Sequence, residues 1–494
     1  MLTRALTVTT IVAGLCSMNA LAQQDANTGS KKDGVTNAAP GPVEGSAKPK
    51  WPKYSKMRFT EDYSKIHNAG HRDALDSLKH IPLGDNPDWY LNIGGQVRVR
   101  FEDYQNFNFG SPAVNDDNFL LQRYYLHGDF HLGENLRVFA EIRSSLVNDW
   151  DISNPMGSRP TSQFDEFDFQ SLFFDYDFEL SDDLDARIRA GRFEMEFGAG
   201  RIVGCRNWAQ IRRPFDGAAL KLSNDSGWVE GFYANWVETA LYDAFNDTDS
   251  DQAIWGVYGH LNASANPMPF NFEGYLIGKD NETGTKDEHR MTVGGRIFNT
   301  IPDTNFSYDI EGAYQFDFSG TEVQAAMFSA ELTYKMKSSS FQPWFTAGFD
   351  WASGDDDPTD STIKTFEPVS GFGHFYFGYA DQIGRQNIVS PWLRVGAKPM
   401  KKLTTSVETH WFWVDEAADG IYAPSNTSSR RRAGSATAGE YIGFELDFVA
   451  KYKINHHLVL MAGFSHLWAD EFIEDTAGGK GDVSRVYTQL QFTF

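Results

Sequence analysis

Arginine recurs in this chain at spacings that place guanidinium groups side by side. Arg98 and Arg100, like Arg187 and Arg189, stand two residues apart, and on an extended strand such neighbours project from one face. A guanidinium is a planar fork that pairs carboxylates bidentately, so a row of them suits the attraction and release of anionic solutes. Arg123, Arg137 and Arg143 extend the set, while Arg201, Arg206, Arg212 and Arg213 crowd one segment made pliable by Gly198, Gly200 and Gly204. Arg201, Arg212 and Arg213 are the best candidates for a selective constriction. The competing reading is that charges on a polar interior neutralise one another. Glu102, Asp129, Glu141, Glu194, Glu196 and Glu230 fall on the same faces as the arginines.

Catalytic signatures are absent from the sequence. There is no Gly-x-Ser-x-Gly elbow, no His-Glu-x-x-His and no glycine-rich phosphate loop. Glu194 and Glu196 could in principle cleave a polysaccharide, but arginines beside them favour two ionised carboxylates, where glycoside hydrolysis needs one held protonated. No enzyme activity and no cofactor are expected. The run Asp355-Asp356-Asp357-Pro358-Thr359-Asp360 lacks the central glycine of an EF-hand loop, and no metal site is read from it. Other acidic runs, Asp116-Asp117 and Asp247 to Asp251 among them, could bridge lipopolysaccharide phosphates through divalent cations, though they also suit solvated loop tips. One of the two cysteines, Cys16, falls in the leader described below, which leaves Cys205 without a disulfide partner.

The elements that would carry these arginines have a period of two. In Leu91-Asn92-Ile93-Gly94-Gly95-Gln96-Val97-Arg98-Val99-Arg100-Phe101-Glu102 apolar residues or glycines alternate with polar ones, the pattern of a strand with one greasy and one wet face. The same alternation returns in about eighteen segments, an even number in the range of bacterial outer-membrane barrels. Short links such as Gly133-Glu134-Asn135 and Asn455-His456-His457 alternate with long ones near 103–118, 147–166, 198–216, 238–252, 353–386, 414–440 and 469–483. The fold expected is all-β, a transmembrane antiparallel barrel with tight periplasmic turns and long extracellular loops. After Ala190-Gly191 the phase reads as flipped, so a bulge is expected to turn Arg192, Glu194 and Glu196 into the lumen and Phe193, Met195 and Phe197 towards lipid.

Composition agrees. Of 494 residues, 41% are apolar yet 15% are aromatic, which argues against disorder and for aromatic surface with little aliphatic core. A net charge of −23 makes nucleic acid an improbable partner. Residues 1–22 read as a signal peptide ending in Ala20-Leu21-Ala22. Residues 23–56 read as a flexible periplasmic tether, 57–88 as a short periplasmic segment with a helix over Asp73 to Lys79, and 89–494 as the barrel. The last strand ends on Phe494, a terminal aromatic of the kind that barrel-assembly machinery reads.

Longer motifs resemble the alginate-export domain family of outer-membrane proteins. They include Arg58-Phe59-Thr60-Glu61-Asp62-Tyr63-Ser64, Gly94-Gly95-Gln96-Val97-Arg98-Val99-Arg100, Arg212-Arg213-Pro214-Phe215-Asp216-Gly217 and Tyr376-Phe377-Gly378-Tyr379-Ala380-Asp381-Gln382-Ile383-Gly384-Arg385. The resemblance implies an outer-membrane barrel of eighteen strands with passive passage of solute, on the pattern of an arginine-lined pore for a uronate polymer. The expected solute is an anionic polysaccharide or oligosaccharide of alginate type, with outer-membrane lipid and lipopolysaccharide as surroundings. Its anion-binding set would be Arg98, Arg100, Arg123, Arg143, Arg187, Arg189, Arg192, Arg201, Arg212 and Arg213. A general or small-anion porin, and a structural or adhesive barrel blocked by its loops, are the alternatives.

Overall fold

Strict alternation gives each strand two unlike faces, and a sheet of such strands can hide both only by closing into a tube with lipid outside and water within. The protein does this. The structure, a computed structural model, describes residues 51–66, 70–111, 114–152, 162–239, 245–265, 269–282, 288–424 and 430–494. The leader and residues 23–50 of the expected tether lie outside these.

Eighteen long antiparallel strands form the wall among the described residues. The first six are β1 (Trp89–Gln105), β2 (Asp117–Leu132), β3 (Leu136–Asn148), β4 (Asp165–Ser181), β5 (Leu184–Glu194) and β6 (Pro214–Asn224). Next come β7 (Gly227–Val237), β8 (Thr248–Leu261), β9 (Asn271–Asn281), β10 (Glu288–Thr300), β11 (Phe306–Gly320) and β12 (Glu322–Lys335). The last six are β13 (Trp344–Ala352), β14 (Ile388–Met400), β15 (Leu403–Trp413), β16 (Tyr441–Lys453), β17 (Leu458–Ala469) and β18 (Val483–Thr493). Each pairs with its neighbours in sequence, and β1 pairs with β18 from Gln96↔Thr493 to Gln105↔Ser484. That last pairing removes both sheet edges.

The faces sort as the alternation requires. Along β3, Arg137, Phe139, Glu141, Arg143 and Ser145 are buried on the inside, while Leu136, Val138, Ala140 and Ile142 are partly exposed outside. Large apolar residues are exposed around the whole circumference, from Leu126 and Phe174 through Tyr233 and Tyr314 to Leu393, Phe448 and Leu490. At about 25 cal/mol per Å² such a belt is costly in water and costs nothing in hydrocarbon.

Links alternate in length, with two departures on the long-loop end, where β11 meets β12 through Thr321 alone and β9 meets β10 through 282–287. The expected phase flip after Ala190-Gly191 does not occur. Gly191 pairs with Phe173 and Arg192 with outward-facing Leu172, and Phe193 packs inside, 6.4 Å from Phe173. The irregularity lies one strand earlier, where β4 shifts register against Glu141 and Ile142. Phe193, Met195 and Phe197 are therefore interior residues, and Phe197 stacks on Tyr258 at 4.8 Å.

Upstream of the barrel the expected helix is a 3-10 helix, Ala74–Leu78, capped by Asp73, whose side chain accepts from the Leu75 amide. Tyr54 and Lys56, at the end of the expected tether, pack on the barrel, as does the segment that follows. Phe59 packs edge-on against Phe139 and Phe173, placing it inside the mouth, and Lys56 pairs with Glu196. Arg58 binds Glu61 at 2.7 Å, the Gly95 carbonyl at 3.0 Å and the Phe494 carbonyl at 2.9 Å, so it ties the segment to the seam where the first and last strands meet. Arg58→Ala would leave Glu61 buried without its partner, a loss of about 3–5 kcal/mol. The expected outcome is a lower temperature for the heat-induced mobility shift of the barrel on detergent gels; an unchanged transition would show that the pair carries no stability.

Candidate pore constriction

The segment joining β5 to β6, residues 195–213, folds into the barrel. A loop placed there must find partners for its backbone carbonyls, and the first strands supply them. Arg98 donates to the carbonyls of Asn207 (2.8 Å), Trp208 (3.0 Å) and Ala209 (2.7 Å). Arg123 reaches Ala209 O at 3.1 Å and the Asn207 side chain at 3.0 Å. Arg100 donates to Trp208 O at 2.9 Å, pairs with Glu102 at 2.5 Å and lies 4.1 Å over the Trp208 ring. These three arginines, expected to face solute, hold the loop.

A second loop, 353–387, meets the first. Val203 and Ser370 form a parallel bridge, Ser370 N donates to Ile202 O at 2.8 Å and Gly204 N to Ser370 O at 3.1 Å. Asp381 is the clamp. Its carboxylate accepts from Trp208 Nε1 (3.0 Å) and Arg485 (2.6 Å) and contacts His374 Nδ1 (2.5 Å), while Trp208 stacks on His374 at 3.9 Å. The wall side is held by Ala380 N donating to Glu445 at 2.8 Å. Gly378 makes this approach possible, since its φ is +78° and a Cβ there would meet the Glu445 carboxylate at 2.2 Å. Burial alone would raise the Asp381 carboxyl, but His374 and Arg485 outweigh it and hold the group below the usual carboxylate range.

Pairing sorts the remaining arginines. Arg143 binds Asp165 (2.6 Å) and Asp168 (3.0 Å), Arg187 binds Asp177 (2.6 Å), and Arg189 binds Asp175 (2.7 Å). Arg201 is surrounded by Asp309 (3.0 Å), Glu311 (3.0 Å) and Glu331 (2.6 Å). Arg212 contacts Glu141 and lies 2.8 Å from Glu194. Arg192 sits on the outward side of its strand, paired with Asp216 at 2.8 Å and held by the Asn246 carbonyl at 2.8 Å, so it is no part of the lumen row. Glu194 and Glu196 do point inward, as expected.

Two guanidiniums are left over. Arg206 and Arg213 form no side-chain hydrogen bond or ion pair among the described residues, and both are half-buried on the inward loop. Arg213 has Trp236 beneath it at 5.9 Å, and Arg206 and Glu367 are the charges acting on it. Of the three arginines the sequence favours for selectivity, Arg213 alone keeps a free charge. Arg206, read from sequence as one of the same loop, joins it because the backbone there turns left-handed, with φ at +56°. Towards the short-turn end a cavity of about 400 Å³ opens, lined by Asn271, Tyr308, Asp309, Glu331, Thr333 and Lys335.

A family model described as alginate export matches residues 89–486. None of the curated proteins matches the sequence. Among solved structures, the outer-membrane protein OprD from Pseudomonas aeruginosa is similar, with 12% identity over 82% of this chain and 93% of its own and a TM-score of 0.51. OccK2 (OpdF) from the same organism shares 11% over 82% and 97%, TM-score 0.52. OccAB1 from Acinetobacter baumannii shares 13% over 82% and 97%, TM-score 0.50. At these identities the likeness is one of fold.

Asp381→Asn would strip the clamp, leaving Arg485 with Glu102 alone and weakening the Trp208 and His374 contacts, at a cost of about 3 kcal/mol of loop attachment. The expected outcome is faster tryptic cleavage within 353–387 and a larger, noisier single-channel conductance. Because the Asp381 pKa is depressed on folding, its stabilisation is complete above its ordinary value of 3.8 and is lost as pH falls through the lowered one. The Asp381 contribution to loop attachment should therefore hold from neutral pH to about pH 4 and fade only below it, so a conductance change that begins at higher pH would report His374, whose ring burial disfavours charging.

Proposed function

The chain belongs to the alginate export family, and from that premise we propose that it passes anionic solutes passively, with uronate-rich polysaccharide or its oligomers as the class that fits. The coarser statement, an outer-membrane channel, follows from the family and the porin-like closed barrel together. The observation that carries the finer reading is the pair of unneutralised guanidiniums, Arg206 and Arg213, on a loop that narrows the lumen.

A polyuronate carries one carboxylate per sugar. A channel for it needs enough positive charge to draw each carboxylate in and too little to keep it, which two free guanidiniums provide better than a continuous unpaired row would. The other lumen arginines are engaged by carboxylates or by loop carbonyls and set the field without binding solute. Glu194 is committed to Arg212 and Glu196 to Lys56, so the carboxylates that could have attacked a glycosidic bond serve structure, and the reading is transport without hydrolysis. Export of a polymer and uptake of its fragments need the same lumen. The apolar wall takes outer-membrane lipid and lipopolysaccharide as its partners, and Phe494, paired through its backbone with Gly95, is the residue proposed to be read during barrel assembly.

Planar-bilayer recording tests this. Wild-type channels are expected to prefer chloride over potassium, and Arg206→Ala with Arg213→Ala to lose about 1 kcal/mol of that preference, roughly fivefold in permeability ratio. Unchanged selectivity in the double variant would remove these residues from the account. Added oligo-uronate should block current in the wild type and not in the double variant; absence of any block would leave a small-anion porin.

A further inference from the structure

At the short-turn end, two histidines of the turn between β16 and β17 converge on one carboxylate of the N-terminal segment. His456 Nε2 and His457 Nε2 each lie 2.9 Å from Asp73 Oδ2, and the two imidazoles are tilted at 39° with centroids 4.0 Å apart. The other carboxylate oxygen of Asp73 accepts from the Leu75 amide at 3.0 Å, which fixes Oδ2 towards the histidines. Asn455 caps the turn by accepting from the amides of His457 and Leu458, each at 2.8 Å, and so fixes the histidines towards Oδ2.

The contacts around His457 favour a positive centre between these groups. His457 Nδ1 is 2.7 Å from the Thr493 carbonyl and 3.0 Å from the Tyr54 hydroxyl. A carbonyl can only accept, whereas a hydroxyl can do either, so both contacts are satisfied together when Nδ1 carries the proton. Neutral His457 then presents the bare lone pair of Nε2 to a carboxylate oxygen, a repulsive contact. A single imidazolium at His457 would relieve it, and so would a divalent cation. One divalent cation serves both nitrogens and the oxygen at once. Arg72, the nearest guanidinium in sequence, is occupied by Asp76 at 2.8 Å.

We propose that Asp73, His456 and His457 bind a divalent first-row transition metal of the zinc class, latching the N-terminal segment to the seam of the barrel. All three donor atoms lie within 4.8 Å of one another. Ligand atoms around a tetrahedral ion with bonds of about 2.0–2.1 Å sit roughly 3.3 Å apart, so small movements of the half-buried Asp73 and His456 side chains complete the geometry. Two imidazole nitrogens and one oxygen select zinc, nickel or copper over calcium and magnesium, which seek six or more oxygens. The Nδ1–H of His457 bonded to Thr493 O is the outer-shell contact that orients a metal-bound imidazole. The fourth position falls to water. Asp73 belongs to the segment that also carries Arg58 and Phe59 in the barrel mouth, whereas Thr493 ends the closing strand, so the metal would join the segment to the wall. The inference does not depend on which solute the channel passes.

Titration of the tag-free, metal-stripped barrel in detergent with Zn²⁺ alone, followed by calorimetry, tests the site. One ion per chain is expected, with affinity lowered about tenfold or more by His456→Gln and by Asp73→Asn separately, as loss of one ligand in three requires. Both variants should keep the heat-modifiable gel mobility of the folded barrel, since Asp73 and His456 are half-buried at the periphery and the turn is capped by Asn455. Co²⁺ in place of Zn²⁺ should give visible absorption bands of nitrogen ligation in the wild type, weakened in His456→Gln. Zn²⁺ should also slow tryptic cleavage after Lys53, Lys56 and Lys65 in the wild type alone. No binding, or equal binding in wild type and both folded variants, would overturn the site; binding without protection from trypsin would overturn the latch.

Discussion

Unpaired backbone amides cannot be left in hydrocarbon, and the pairing of β1 with β18 is how this chain meets that requirement. Closure fixes the rest in order. It makes the outward positions of every strand lipid-facing, which is why Leu126, Leu172, Leu393 and Leu490 stand exposed where a soluble protein would hide them. It also turns the polar positions into a confined interior, where most charges are paired. Arg58 sits on the seam itself, binding carbonyls of both the first strand and the last residue.

Confinement explains the uses to which the interior arginines are put. Where a carboxylate shares the strand face, the two pair, as Arg189 does with Asp175 and Arg143 with Asp165. Where none is within reach, the guanidinium draws in backbone, and Arg98 and Arg123 pull residues 207–209 off the rim into the lumen. The loop so captured carries Trp208 to Asp381 and thereby recruits the second loop. Arg206 and Arg213 are what remains when both demands have been met, and their freedom is a product of the network around them.

The wall was legible in the sequence because a period of two survives in nearly every strand and because turn residues such as Gly133 and Asn455 mark the tight end. The departures have local causes. Ala190-Gly191 reads as a bulge, yet the extra residue lies in the partner strand near Gln170 and Ser171, and a single-strand reading cannot tell which of two paired strands carries an irregularity. Capture of 195–213 could be anticipated from its glycines and arginines. Capture of 353–387 could not, since it depends on Asp381 meeting Trp208 from a distant loop and Arg485 from a distant strand. Pairing state was equally hidden: Arg201 and Arg213 are alike in sequence, but three carboxylates form ion pairs with one and, among the described residues, none does with the other. Asp73 and His457, 384 positions apart in sequence, meet only because the barrel closes.

The most direct measurement is a cross-link between the two interior loops. Val203 and Ser370 are bridged backbone to backbone, a separation that a disulfide can span without distortion. In a Cys205→Ser background, Val203→Cys with Ser370→Cys should oxidise to completion in the folded barrel. Single-channel conductance and ion selectivity should then be the same before and after reduction. Failure to cross-link, or a conductance that changes when the bond is reduced, would mean that the loops stand apart in the conducting channel and that the constriction described here is not the one ions pass.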